Sequence, residues 1–313
     1  MIVDIALLVL GFVVLIMGGN WLLKSSVDMA VRMGMSRLVV GLTVVSFATS
    51  APELIVSVNA ALNGASGIAL GNVIGSNIAN IGLVLGVTAM MVNIRVPRPF
   101  FRTDYVFLMF ASVVLYFMLF LGGSLNRLEG MALILFLVFY VVYQLKTKKM
   151  VSVSGADSSV KYLSWPWIFF YLLIGGGGLW LGSDLLVGSA RNIAVELDIP
   201  ESVIGLTVVA IGTSVPELAA SVIAALKGEK SISFGNLIGS NIFNIFGVLG
   251  LTAVILPIPI EDARFLSFDI WWMLGFALLL LPLSFSYGRF KLRKLQGAVL
   301  ISLYILYVIL ALV

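Results

Sequence analysis

Two glutamates sit where carboxylates are seldom tolerated. Glu53 and Glu217 each follow a proline in the middle of a long apolar run, whereas the other thirteen of the fifteen acidic residues fall in polar segments or near the ends of such runs. A charge at the centre of a bilayer costs roughly 2.5 to 3.5 kcal/mol on insertion scales, so it persists where it has a partner or a function. No Lys or Arg lies at a matching position to pair with either glutamate. The neighbouring polar residues carry oxygen instead. Thr43, Ser46, Ser50, Glu53 and Ser57 recur every three or four positions, and Thr207, Ala210, Ser214, Glu217 and Ser221 repeat the pattern. On a helix that spacing makes one stripe. Pro52 and Pro216 also deprive the carbonyls of Ala48 and Gly212 of their usual donor, which adds two candidate ligands if they line a cavity.

A second pair of segments supplies amides. Asn72, Ser76 and Asn80 share one helical face, as do Asn236, Ser240 and Asn244. An isolated Ser or Thr in a membrane helix usually bonds back to its own backbone. A duplicated stripe centred on a carboxylate points instead to ion ligation by its central members. The chain has no cysteine and no histidine, so thiolate sites, disulfides and imidazole proton relays are excluded. Oxygen ligands alone suit calcium, magnesium, manganese or alkali ions rather than zinc or copper. Calcium takes 6 to 8 oxygens, of which two bidentate carboxylates supply four while neutralising its charge. One divalent ion competing with several monovalent ions for the same two charges would give obligatory exchange.

The elements that position these residues are membrane helices. Hydrophobic residues make up 61% of the 313 positions and charged ones only 11%, far from a soluble domain. Ten spans are expected, near 3–23, 38–62, 68–93, 105–121, 128–145, 165–186, 202–226, 232–256, 268–286 and 295–313. They leave room for a single all-α, polytopic membrane domain over 1–313. The apolar start, without a basic leader or small-residue cleavage site, is expected to remain as the first span. Alternating the spans puts 16 of the 19 Lys and Arg residues on one side, with Arg127, Arg191 and Arg264 on the other. By the positive-inside rule the chain is expected in the cell (inner) membrane with both termini outside the cytoplasm. The net charge of +4 is thus a matter of orientation, not of nucleic-acid binding.

Residues 41–89 align without a gap on residues 205–253, with 31 of 49 positions identical. Apolar composition does not reproduce Pro, Glu, Asn and Ser in register, so the chain is internally duplicated. The repeat unit is five spans, over 1–147 and 164–313, joined by a cytoplasmic linker at 148–163. Five is odd, so the second copy must run through the membrane inverted. Inverted repeats characterise secondary transporters, whose sites lie near the midplane between interrupted helices.

The ATSAPE run from Ala48, the GTSVPE run from Gly212, and the paired GSNIxN runs from Gly75 and Gly239 resemble the alpha repeats of the sodium/calcium exchanger family, within the cation/calcium antiporter superfamily and of prokaryotic type. The resemblance spans the ten-span layout. It implies an alternating-access antiporter, not an enzyme, with no cofactor and with Ca2+ and Na+ as transported substrates. A calcium site would be formed by Glu53 and Glu217 with Thr49 and Thr213. Sodium sites would use Ser50, Ser214, Ser76, Ser240 and carbonyls near Ser46 and Ala210, and Asn80 and Asn244 would share their depth. The resemblance further implies that spans one and six slide as a gating pair, and that three sodium ions exchange for one calcium. Some prokaryotic relatives carry aspartate where this chain has Asn244, which favours sodium over proton coupling here. Calcium/proton antiport and potassium-dependent sodium/calcium exchange are the alternative readings, and a monomer is compatible with all of them.

Overall fold

In a medium without hydrogen-bonding solvent, every backbone amide must find its partner inside the chain. The chain meets that demand almost entirely with helices. The computed structural model describes residues 2–147, 162–197, 212, 214–260, 262–285 and 290–312. Its helical elements are α1 (Ile2–Met33), α2 (Arg37–Thr49), α3 (Ala51–Leu62), α4 (Ser66–Met91), α5 (Arg98–Gly122), α6 (Arg127–Thr147), α7 (Trp165–Glu196), α8 (Val215–Leu226), α9 (Lys230–Ile255), α10 (Phe265–Phe285) and α11 (Lys294–Leu312). Among the described residues eight helices are long and apolar enough to cross a membrane, and α2 with α3, bent by 44° at a short break, makes a ninth. The tenth expected span, 202–226, lies partly outside the described residues, and α8 is its described half.

Three expectations change in shape. The first span is expected to end at residue 23, before Lys24, yet α1 continues to Met33. Its polar residues are absorbed rather than helix-ending: the Ser25 hydroxyl donates back to Trp21 and Leu22, and Asp28 accepts the Leu163 amide at 2.9 Å. The sixth span likewise runs to Glu196, ten residues past its expected end. The second is not one kinked helix but two, separated at Ser50.

The centre of the protein is α4 against α9. In each, 78% of the most apolar stretch is buried inside the protein, against 22% in α1, α6, α7 and α11. Their buried Leu70, Ile74, Ile78, Leu237, Ile238 and Ile242 form the core with α5 and α10, while the outer helices turn large apolar side chains such as Phe117, Leu135 and Phe139 outward. Glycines let the helices touch. A Cβ on Gly86 would sit 2.8 Å from Ile301 and one on Gly297 2.6 Å from the Gly86 carbonyl, joining α4 to α11; Gly130 stands equally close to Gly250, joining α6 to α9. The long helices α1 and α7 pack closely side by side, with Gly11 and Gly18 of α1 against Gly182 and Gly175 of α7, in a second apolar cluster that also takes in Val40 of α2 and Ala220 of α8.

Two antiparallel clips tie loops together. Ile94–Arg95 (β1), after α4, pairs with Lys291–Leu292 (β4), before α11; Ser124–Leu125 (β2), after α5, pairs with Ile258–Pro259 (β3), after α9. Arg37 and Glu229 form an ion pair between the start of α2 and the α8–α9 turn. With the arginine side chain 48% exposed, the pair lies in a screened setting where such contacts are worth about 1 kcal/mol or less. Arg37→Ala is therefore expected to lower the thermal midpoint only slightly, and the shift should shrink further in high salt.

Candidate cation site

The break in α2–α3 is what places Glu53. Ser50 leaves helical geometry, Pro52 occupies the first turn of α3 where its missing N–H is not needed, and Glu53 follows in that same turn. The second copy does the same: Ser214 precedes α8, with Pro216 and Glu217 in its first turn. Each carboxyl thus lies at the N-terminus of a half-helix, the end with positive dipole character. Both side chains are fully buried, and Glu53 lies close enough to Glu217 for the two like charges to interact.

The two halves of the chain interlock around these carboxyls. The Ser50 hydroxyl donates to Glu217 Oε1 at 3.3 Å. The Thr49 hydroxyl lies 3.1 Å from Asn236 Oδ1 and 3.4 Å from the Ser240 hydroxyl. Ser46 Oγ reaches the Asn236 carbonyl at 3.0 Å, and Asn244 Nδ2 donates to Ser76 Oγ at 3.1 Å. Every one of these bonds joins a residue of the first copy to one of the second. Predicted site residues Thr49, Ser50, Ser46, Ser76, Ser240, Asn244 and Glu217 are therefore linked directly across the duplication. Thr43 leaves the stripe: it bonds back to the Val39 carbonyl at 2.7 Å and borders an apolar furrow with Phe47 and Phe243. The predicted residues Thr213 and Ala210, with Thr207, lie outside the described residues.

The site is rich in buried polar atoms that no described residue satisfies. Both Glu53 oxygens, Glu217 Oε2, Ser214 Oγ, Asn244 Oδ1 and both polar atoms of Asn80 are buried without a hydrogen-bond partner among the described residues. Buried polar atoms are nearly always paired, and a set of oxygens left over around two carboxyls is the donor set of a hard cation. Among the described residues no group of three or more His, Cys, Asp or Glu side chains gathers. Two carboxyls supplemented by neutral oxygens are thus the available chemistry. Asn80 and Asn244 also begin π-helical turns, Asn80–Leu85 and Asn244–Leu249, a widening of the helix that recurs at functional sites. The Gly212 carbonyl freed by Pro216 accepts the Ser183 hydroxyl of α7 at 2.9 Å, which uses one of its two lone pairs.

Sequence reading passed over two residues. Asn77 and Asn241 clasp each other's backbones, with Nδ2 to carbonyl distances of 3.3 and 3.2 Å, and Asn77 Oδ1 also accepts from Asn244 at 3.3 Å. Their signal was present: both are primary amides, in mid-span, identical in the two copies.

Two helices, α3 and α8, that each begin beside a buried carboxyl, among oxygens without partners in the described residues and inside a bundle of apolar helices, define a membrane cation transporter. The chain belongs to the sodium/calcium exchanger protein family, whose model matches residues 3–146 and 167–313. CaxA of Alkalimonas amylolytica is 36% identical over 316 residues, covering 98% of each chain. The sodium/calcium exchanger MaX1 of Methanosarcina acetivorans is 32% identical over 351 residues, again covering 98% of each. The solved structure of the sodium-calcium exchanger NCX_Mj superimposes with a TM-score of 0.82 at 31% identity, covering 99% of this chain and 98% of that one. The protein is a multi-pass membrane transporter of the cation/calcium antiport class, not an enzyme.

Proposed function

We propose that this antiporter exchanges Ca2+ for Na+ by alternating access, at a site made by Glu53 and Glu217 with Thr49, Thr213, Ser50, Ser214, Ser46, Ala210, Ser76, Ser240, Asn80 and Asn244. The observation that carries the reading is the set of buried oxygens, those of Glu53 and Glu217 among them, that have no hydrogen-bond partner among the described residues. One Ca2+ cancels both negative charges, whereas three Na+ would leave one positive charge in excess. Exchange at that ratio is electrogenic, and each cycle feels about 2.3 kcal/mol per 100 mV.

The architecture that serves this cycle is ten helices in two inverted five-helix repeats, 1–147 and 164–313, with the linker 148–163 and the Lys- and Arg-rich loops in the cytoplasm and both termini outside. Two contacts support that sidedness: Arg37 with Glu229, and β1 with β4, each bring together loops assigned to the basic side. The closely packed pair α1 and α7 is the moving part, sliding over a core of α2, α3, α4, α8 and α9.

Purified protein in liposomes tests the reading. A sodium gradient alone is expected to drive uptake of radioactive calcium, and an inside-negative potential is expected to change its rate. Uptake driven by a pH gradient and indifferent to sodium would assign proton coupling instead. A requirement for potassium would assign potassium-dependent exchange.

A further inference from the structure

Beyond the ligands themselves, the site contains a device that decides which way one hydroxyl points. Asn236, on α9, is fully buried and bonds to three residues of two other helices. Its Nδ2 donates to Ser221 Oγ of α8 at 3.0 Å, its Oδ1 faces Thr49 Oγ1 at the end of α2 at 3.1 Å, and its backbone carbonyl accepts from Ser46. The orientation of the amide follows from its twin. Asn72 Nδ2 lies 2.9 Å from Ser57 Oγ and 3.2 Å from the Glu53 carbonyl; a carbonyl only accepts, so the NH2 end must face it. Ser57 and Ser221 hold corresponding places in the two copies, so the NH2 end of Asn236 faces Ser221 by the same geometry. The carbonyl end is left for Thr49.

We propose that Asn236 is a positioning residue that makes Thr49 an acceptor-only ligand for the transported cation. A threonine hydroxyl has one proton and two lone pairs. The shortest hydrogen bond open to that proton runs to Asn236 Oδ1, at 3.1 Å, with the Ser46 carbonyl and Ser240 Oγ both at 3.4 Å and the Glu217 carboxylate as the competing acceptor, which a bound cation would occupy. Drawing the proton toward α9 turns the lone pairs to the carboxyls, where a cation is attracted. Were the amide reversed, its NH2 would donate to Thr49 and the threonine proton would point into the site and repel a cation. Asn236 therefore acts through Thr49, and Ser221 acts through Asn236. The inference rests on the proposed reading of Thr49 as a ligand.

A double-mutant cycle on the purified full-length protein, read by calcium titration calorimetry, tests it. Thr49→Val and Asn236→Leu are each expected to weaken calcium binding about tenfold, the scale of one hydrogen bond to a charged group. The double variant is expected to bind no more weakly than Thr49→Val alone, because the asparagine has nothing left to orient. Penalties that multiply to about a hundredfold would show that Asn236 works independently of Thr49 and would overturn the proposal. Asn236→Asp keeps an acceptor oxygen toward Thr49 and nearly the same shape, and carries the test if the leucine variant does not fold. In its background Thr49→Val should still weaken binding about tenfold; a smaller loss overturns the proposal. Glu53→Gln is the control for the site: if calcium binding ignores it, the site and this inference both fail, whereas multiplying penalties beside a sensitive Glu53 reject the inference alone.

Discussion

Replacing Glu53 or Glu217 by glutamine is expected to lower calcium affinity at least about a thousandfold and to abolish exchange. Each substitution removes half of the negative charge in a site where no third carboxylate gathers among the described residues. A unit charge 4 Å from another is worth on the order of 4 kcal/mol at an effective dielectric of 20, about a thousandfold in binding, and a doubly charged ion in direct contact feels more. Titration calorimetry and radioactive calcium uptake would read the two effects. The same variants make a second, opposite prediction. Without ions, both Glu53 oxygens and Glu217 Oε2 are buried with no donor among the described residues, and burying carboxylates without partners costs stability. In a chelating buffer each glutamine variant should therefore melt no lower than the parent, and saturating calcium should raise the melting temperature of the parent far more than that of either variant. A variant that melts well below the parent in chelator would mark the glutamates as structural ties between helices and sink the ligand reading.

Much of the site was legible because the sequence states it twice. Glu53 and Glu217, Ser50 and Ser214, Asn80 and Asn244 stand at the same register in a duplicated segment, and one carboxyl in the middle of an apolar run is already anomalous. Periodicity could not show that the helix through Ser50 is broken rather than kinked, since Pro52 is compatible with either; only the packing of α2 and α3 against α9 and α4 decides. The continuation of α1 past Lys24 was hidden for a similar reason. Charged and hydroxyl residues normally mark the edge of a span, but here Ser25 and Asp28 find partners in the protein. The partners across the site were also out of reach, because Thr49 and Asn236 are joined only when the inverted copies face each other, and helical spacing speaks of one helix at a time. The run Gly175 to Gly178 in the sixth span is a place where another helix can come close, but which helix approaches is a matter of tertiary structure.

That helix is α1, and its contact with α7 carries the second large effect. A Cβ added to Gly175 would meet the Leu22 amide nitrogen at 2.6 Å and Leu22 Cα at 2.9 Å, while one on Gly18 would meet the Leu179 amide nitrogen at 2.7 Å. These are backbone atoms, so no rotamer change relieves the clash and the helices must part. If α1 and α7 slide as a unit over the core, Gly175→Ala is expected to slow sodium-driven calcium exchange more than about tenfold through overpacking that costs roughly 1 to 3 kcal/mol. Equilibrium calcium affinity should change far less, because the ligands are carried by α2, α3, α4, α8 and α9. Gly177 is the matched control: it lies two positions away in the same helix, and nothing stands within 4 Å of its added Cβ. Gly177→Ala should preserve the rate and, by relieving the helix of a flexible residue, add about 0.5 to 1 kcal/mol of stability. The diagnostic comparison is rate against affinity in the two variants. Should Gly175→Ala weaken calcium binding as much as it slows exchange, the pair would be part of the binding core and could not be the element that moves across it.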